Sequence, residues 1–520
     1  MSADDSLEKL LGTAARLRPD LAVEVIAGTV EGRRIGRLVD DSREVEVGDG
    51  FVARQGTVSN GGIHVAEAIE RGAAMILGSR ATWSEIDPGS LGDAVGLACE
   101  RPLELGITLV KARPGSEGRS LRIAGVTGTN GKTTVTTLLR QVMDRVIGPC
   151  GSIGTIEIHD GRRVMPARVT TPGRLEIAEL LGDMGGHGCE LLAMEVSSHA
   201  IHQGRTADLD FEVAVFTNLS GDHLDYHGTM EEYAAVKSRL FHSLRPEAMA
   251  VVNLQDPAAT VMLSSCPART IGIVEGHDDA GAVHVDHVVR VETIRNGPDG
   301  MRLRWTGIGS ASMEADVPLV GGHNAFNATA AVLVAIEMGA RPSDAIKAIE
   351  AVVAPRGRLE PVHQEGDSIR VYVDYAHTDE AIRTVLASLR PFVPEGAGLV
   401  ALIGAGGDRD RTKRPRMMRA ALDGADRVMV TSDNPRTEDP GSIVAEVLSG
   451  ARAEERIRVF AEVDRRRGID RAIREATVGD VVVIAGKGHE NHQIIGTRRL
   501  PFDDRSVARE ALDRRRKEEG

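Results

Sequence analysis

The residues that specify chemistry most directly are Thr127-Gly128-Thr129-Asn130-Gly131-Lys132-Thr133-Thr134, set between an apolar run and a helical pattern. Glycines in such a turn let backbone N–H groups point inward, and the start of a helix favours anions. Lys132 then reaches the terminal phosphates of a nucleotide, and the Thr133 hydroxyl is suited to Mg²⁺. The usual spacing has glycine at 126, whereas this chain has Val126 with glycines at 125 and 128. The bland alternative is a glycine turn that only caps a helix, for which Gly-Lys-Thr-Thr is an unusual choice.

Two acidic segments follow. In Met194-Glu195-Val196-Ser197-Ser198-His199, Glu195 closes an apolar run and so falls at the C-terminal edge of a sheet, where ligands bind in α/β folds. It holds a metal there, or is a solvated or helix-capping carboxylate. In Phe216-Thr217-Asn218-Leu219-Ser220-Gly221-Asp222-His223-Leu224-Asp225 a histidine sits among carboxylates, which are costly to bury without partners. A metal or substrate role and a polar turn network both fit.

These side chains need a scaffold that gathers loop ends. Leu121–Val126 reads as a buried strand entering the phosphate loop, and Val135–Val142 as the helix after it. Apolar runs at 191–196 and 213–216 alternate with helical segments, the pattern of a parallel sheet covered on both faces. From Gln255 to Pro318 the pattern is more strand-like, with a turn at Gly297-Pro298-Asp299-Gly300. Strands at Ile369–Val373, Gly398–Ile403, Arg427–Val430 and Val481–Ile484 make the last third a second doubly wound unit. A polar stretch at 112–120 reads as a linker, and a helical pattern at Ser343–Val353 stops at Pro355 and Gly357. At roughly 150 residues per domain, three α/β domains are expected. Their expected bounds are 1–117, 118–353 (a P-loop ATPase-like parallel sheet) and 354–520 (a Rossmann-like unit).

Composition narrows the classes. The 520 residues carry 63 Lys and Arg against 76 Asp and Glu, a net charge of −13, which argues against a nucleic-acid binder. Two Trp, four Tyr and eight Phe leave little for base-stacking platforms. The N-terminus lacks a signal-peptide pattern, and no apolar run is long enough for a membrane span. Cys99, Cys150, Cys189 and Cys266 are scattered without metal spacing. A cytoplasmic enzyme is expected, acting as a monomer.

The motifs together resemble a known family. The phosphate loop, Thr170-Thr171-Pro172, the segments at 194–199 and 222–227, Asp374-Tyr375-Ala376-His377-Thr378, Gly406-Gly407-Asp408-Arg409-Asp410, Asp433-Asn434-Pro435-Arg436 and Gly486-Lys487-Gly488-His489-Glu490 look like those of the Mur ligases. These are ATP-dependent, amide-forming enzymes of peptidoglycan assembly, and the similarity is to the branch that adds the third residue of the stem peptide. It runs in order from about residue 38 to 512.

The resemblance implies the reaction. ATP phosphorylates the D-Glu side-chain carboxylate of UDP-MurNAc-L-Ala-D-Glu, and meso-diaminopimelate attacks the acyl phosphate. It implies ATP at Gly128, Thr129, Asn130, Gly131, Lys132, Thr133 and Thr134, with Asn324, Arg358 and Asp374 on adenine, phosphate or ribose. Lys132, Glu195, His223 and Lys237 form the implied catalytic set, with Mg²⁺ around Thr133, Glu195 and His223. Lys237 matches the family lysine that is carbamylated to N6-carboxylysine, an anionic Mg²⁺ ligand; the plain alternative is a snorkelling surface lysine. Ser42 (in Asp41-Ser42-Arg43) and Thr57 are implied on the uridine side of an N-terminal UDP-sugar domain. Thr170, Thr171, Ser197, Gln203 and Arg205 are implied on the sugar-peptide portion. Arg409, Asp433, Asn434, Pro435, Arg436, Gly486 and Glu490 are implied around diaminopimelate, whose extra carboxylate an Arg can clamp where L-lysine would leave it unpaired.

The chain also departs from the family pattern. Asn60, His64, Gly322-His323, Arg356 and Asp379 replace common residues, and 98–120 lacks the expected helix with its Pro. Competing readings are a ligase for L-lysine, a folylpolyglutamate-synthase-like glutamate adder, and an inactive nucleotide-binding paralogue. Intact Lys132, Glu195, His223, Lys237 and Arg436 argue against them.

Overall fold

The computed structural model describes residues 6–54, 61–113, 121–222, 224–276 and 283–519; of Asp225 it describes the backbone only. Its strands form three main sheets and one two-stranded ribbon.

The N-terminal sheet has the order Glu24–Ala27, Val95–Ala98, Met75–Gly78, Gly50–Ala53, Leu38–Val39, parallel except for the first strand. Its inner strands are buried throughout, as near-continuous apolar runs in a two-sided parallel sheet must be. One correction falls here. A helix does occupy Pro102–Lys111, with Pro at its first position, where a missing N–H costs nothing. Its apolar positions are too continuous to show an amphipathic period, because Leu105–Val110 are all buried. The linker pattern at 112–120 and the expected boundary at 117 lie mostly outside the described residues. Arg113 is tied down, donating to Glu179 at 2.5 Å.

The central sheet has eleven strands. Arg122–Thr127, the strand before the phosphate loop, lies in its middle between Leu191–Glu195 and Phe211–Phe216, both parallel to it. Outward on one side run Met249–Asn253, Arg269–Glu275, His287–Gly297, Gly300–Thr306 and Met313–Val317, the last three joined as antiparallel hairpins. The turn at 297–300 is the first of those hairpins, and the strand-like stretch also contains a short helix, Ala259–Leu263. The helices Lys132–Val146 and Asn324–Glu337 pack together on one face around Leu138, Leu139, Val142, Ala331 and Val334. The helix after them is Pro342–Ile349, ending before Val353 in a turn.

The third sheet has the order Glu360–Pro361, Arg370–Asp374, Val481–Ala485, Leu399–Ala405, Arg427–Ser432, Val459–Ala461, with only the first strand antiparallel. Helices cover both faces, with separate cores around Leu386, Met417 and Val444 and around Ile469, Val507 and Leu512. Strands end with Asp374, Ser432 and Ala485 on one edge, so the segments that follow them are neighbours there.

Candidate active site

The phosphate loop turns where the geometry admits only glycine. Gly128 has φ 147° and Gly131 φ 87°. A Cβ on Gly128 would lie 1.9 Å from Thr217 Oγ1, and one on Gly131 2.9 Å from Asn327 Oδ1. Val126, where glycine was the usual residue, is buried inside the strand. Thr217 and Asn218, which follow the neighbouring strand, brace the loop. Thr217 Oγ1 donates to the Asn130 carbonyl at 2.5 Å, and the Thr129 and Asn130 N–H groups donate to Asn218 at 2.8 and 2.9 Å. The helix starts at Lys132, three residues earlier than its apolar pattern, so Lys132, Thr133 and Thr134 form its anion-favouring first turn. Lys132 Nζ donates to the Gly128 and Thr129 carbonyls, each at 2.9 Å.

Glu195 ends its strand opposite Val126 and is 1% exposed. Its Oε2 accepts from Thr133 Oγ1 at 3.0 Å and Thr155 Oγ1 at 2.9 Å, and its Oε1 from the Thr155 N–H at 2.8 Å. The solvated alternative is therefore excluded. A cavity of about 30 Å³ touches Thr133, Ser152, Glu195 and Arg356, room for one water-sized species beside hard oxygen donors. His223 lies outside the described residues. Among the described residues no three His, Cys, Asp or Glu side chains gather as a metal set.

Lys237 is not a surface lysine. It is 1% exposed, donates to the Gly128 carbonyl at 2.9 Å, and lies 4.5 Å above the Tyr233 ring. Burial, with the repulsion of Lys132, pushes its ammonium well below the ordinary lysine range despite Asp222.

On the sugar-peptide side, Thr170 Oγ1 lies 3.0 Å from Thr155 Oγ1, and Thr171 Oγ1 donates to the Glu195 carbonyl at 2.8 Å. The Ser197 N–H donates to Thr171 Oγ1 at 3.1 Å. Arg205 donates to the Thr171 carbonyl at 2.8 Å and to Gln203 Oε1 at 2.6 Å, and Tyr226 meets Gln203 and His202. These five expected residues thus form one patch. Ser42 is buried in the N-terminal unit and donates to Glu67 at 2.6 Å. Thr57 and Asn60 lie outside the described residues.

Most of the remaining expected residues end or follow the strands of the third sheet. Asp374 is buried, its two oxygens accepting from the Leu359 and Ala376 N–H groups at 2.7 Å each. Burial pushes its carboxyl up, against the pull of Arg358. Arg358 stacks 4.9 Å from the Tyr375 ring, and its buried Nε has no hydrogen-bond partner among the described residues. Asn324 donates to the Val320 carbonyl and accepts from Asn327, which reaches the phosphate loop.

The Asp433–Arg436 segment is built, not a loose turn. Asp433, Asn434 and Pro435 are buried, and Arg436, at φ 51°, donates to the Gly407 carbonyl at 2.7 Å. A Cβ on Gly407 would meet Pro435 O at 1.9 Å. Arg409 is exposed beside it, and Gly486 packs on Asp433. Asn434 Nδ2 donates to Glu490 Oε2 at 2.8 Å. Lys487, inside a quoted motif yet unassigned from sequence, is buried and donates to both. Lys413 also went unassigned. It lies within electrostatic reach of Asp222 from the central sheet and of Asp433 and Arg409 from the third. Thr155 and Asn327 had no sequence signal at all.

A cavity of about 1100 Å³ between the helices Leu7–Leu17, Pro102–Lys111 and Arg174–Gly186 lies at the opposite end of the Arg122–Thr127 strand and touches none of these groups.

A nucleotide-phosphate loop on a central, mainly parallel sheet, with charged groups of a Rossmann-like sheet in electrostatic reach of it, defines a three-domain α/β nucleotide-binding enzyme. Residues 126–335 match the Mur ligase middle domain, and residues 357–488 the Mur ligase glutamate ligase domain. The chain is 40% identical over 487 residues (93% of this chain, 94% of the relative) to UDP-N-acetylmuramoyl-L-alanyl-D-glutamate--2,6-diaminopimelate ligase of Gloeobacter violaceus. It is 37% identical to the ligase of that name from Solibacter usitatus, over 98% of each chain. A solved structure of a ligase of the same name superposes with TM-score 0.60 at 33% identity, covering 94% of this chain and 97% of that one. The chain belongs to the Mur ligase family.

Proposed function

We propose that this chain is the ATP-dependent, ADP-forming ligase that joins meso-diaminopimelate to the D-Glu side-chain carboxylate of UDP-MurNAc-L-Ala-D-Glu in peptidoglycan synthesis. Residues 1–117 would hold the UDP-sugar, 118–353 ATP, and 354–520 the amino acid. The observation that carries the reading is the 40% identity over 93% of this chain to the Gloeobacter violaceus ligase, with the phosphate-loop Lys132 and the built Asp433–Arg436 segment both in place.

A carboxylate is a poor acyl donor. Its oxygen attacks the γ-phosphorus, the bond to the β-γ bridging oxygen breaks, and ADP leaves. The amine nitrogen then attacks the acyl carbon and inorganic phosphate departs. Lys132, the first-turn N–H groups and Arg358 hold the phosphates and offset their charge. Thr171, Ser197, Gln203 and Arg205 orient the acceptor peptide, and Ser42 and Thr57 the uridine end. Arg409 and Arg436 meet the carboxylates of the diamino acid; Asn434, Gly486 and Glu490 hold its distal end.

Thr133, Glu195, His223 and a carbamate on Lys237 would hold Mg²⁺; of these, Thr133 and Glu195 meet at 3.0 Å and supply the oxygen donors that such an ion takes. Bound there, Mg²⁺ supplies positive charge to the phosphoryl oxygens. The neutral Lys237 amine adds to CO₂, forming an N–C bond and releasing one proton. A cytoplasmic monomer suits soluble substrates, and among the described residues no helix is long and apolar enough to cross a membrane.

Phosphate release measured with ATP and UDP-MurNAc-L-Ala-D-Glu, offering meso-diaminopimelate or L-lysine in turn, tests the reading. Turnover with lysine alone would refute the specificity, and turnover with neither would favour an inactive paralogue.

A further inference from the structure

Lys487 is a fully buried cation at the floor of the diamino-acid segment, and it makes a closed triangle. Its Nζ donates to Asn434 Oδ1 at 3.1 Å and to Glu490 Oε2 at 2.8 Å, while Asn434 Nδ2 donates to the same Glu490 oxygen at 2.8 Å. The Ile494 N–H adds a second donor to Asn434 Oδ1 at 2.9 Å. Two donors on its oxygen fix the orientation of the Asn434 amide. Glu490 is anchored in the same way. Oε2 takes two donors from the buried side, whereas Oε1 has no partner among the described residues. The Lys487 side chain is 0% exposed and that of Glu490 22%, so the carboxylate reaches from a buried ammonium to solvent.

A buried lysine needs a compensating anion, and Glu490 is the carboxylate it contacts. Burial pushes the Glu490 carboxyl up, but Lys487 and Asn434 carry it below its ordinary value. A fixed, ionised and partly exposed carboxylate oxygen is suited to accept from a cationic donor such as an ammonium.

We propose that Lys487 is the positioning residue of the amino-acid site, orienting Glu490 and Asn434 so that Glu490 Oε1 receives the distal ammonium of the incoming diamino acid. This rests on the reading of 433–436 and Glu490 as the diamino-acid site. Lys487 does not touch the substrate itself. It fixes the group that does.

The test is steady-state phosphate release by the full chain, varying meso-diaminopimelate, ATP and the UDP-sugar-peptide in turn. Lys487→Met should raise KM for diaminopimelate by about 10- to 100-fold, the scale of a lost hydrogen bond to a charge. KM for ATP and for the UDP substrate should stay within about twofold. Glu490→Gln should raise the same KM, and the Lys487→Met/Glu490→Gln double variant should be no worse than Glu490→Gln alone. Should Lys487→Met fail to fold, Lys487→Gln, which keeps a shorter neutral donor, carries the same comparison. The inference is overturned if KM for diaminopimelate is unchanged, if all three KM values and kcat worsen together, or if the two single effects simply add. Wild-type protein that turns over no diaminopimelate overturns the site reading and this inference together. Wild-type turnover with an unaffected Lys487→Met overturns this inference alone.

Discussion

Lys237→Ala separates chemistry from packing. The side chain is 1% exposed and lies against Tyr233 and the phosphate loop. Truncation removes three buried methylenes, at roughly 0.8 kcal/mol each about 2.4 kcal/mol of apolar burial. Against this, a buried amine facing Lys132 is removed, which returns part of that cost. A net loss of about 1–2 kcal/mol leaves the protein folded. Losing a carbamate ligand at the phosphoryl site should cost far more in rate, about 10²–10³ in kcat, the scale of one lost transition-state contact. The assay is phosphate release with all three substrates beside thermal denaturation of the same preparation. Carbon-13 NMR with labelled bicarbonate should show a carbamate carbon in the wild type and none in the variant. A variant within about threefold of wild-type turnover, or a wild type without the labelled carbon, would refute the argument.

Further outcomes are expected elsewhere. Arg436→Ala should lower kcat/KM for meso-diaminopimelate by about 10²-fold, by leaving a substrate carboxylate unpaired; an unchanged preference over L-lysine would count against the clamp. Arg465→Met leaves Asp504 buried without its partner, both side chains being 0% exposed, and should destabilise the third sheet by about 3–5 kcal/mol, read by urea-dependent hydrogen exchange. A loss under about 1 kcal/mol would mean that the pair contributes little. Burial would raise the Asp367 carboxyl, but Arg509, the Gln364 N–H and Arg516 bring it to about 2. Its folded value is depressed, so its stabilisation is present above about pH 4 and is lost as pH falls towards 2. Asp367→Asn should flatten the acid loss of hydrogen-exchange protection in the helix Asp504–Glu519, where Arg509 and Arg516 reside. Parallel curves for the two proteins would exclude this linkage.

Sequence by itself determined the parts whose chemistry is local. A phosphate cradle needs closely spaced glycines and a helix start, so Gly128, Gly131, Lys132 and Thr133 announce it without knowledge of the fold. Alternating strands and helices likewise announce parallel sheets, and Glu195 at a strand end follows from that pattern. Boundaries were less legible. The phosphate-loop helix begins before its apolar stripe, and the helix Pro102–Lys111 hid because nearly every position on it is buried.

Tertiary structure alone decided which charges lose their water. Lys237 reads as a surface lysine until its helix packs under a loop 109 residues away. Lys487 reads as one more polar residue in a glycine turn until it meets Asn434, 53 residues earlier. Both outcomes depend on strand order: the loop strand lies between two later strands, and the ends at Asp374, Ser432 and Ala485 share one edge. Desolvation and long-range pairing are properties of that arrangement, and no local pattern encodes them.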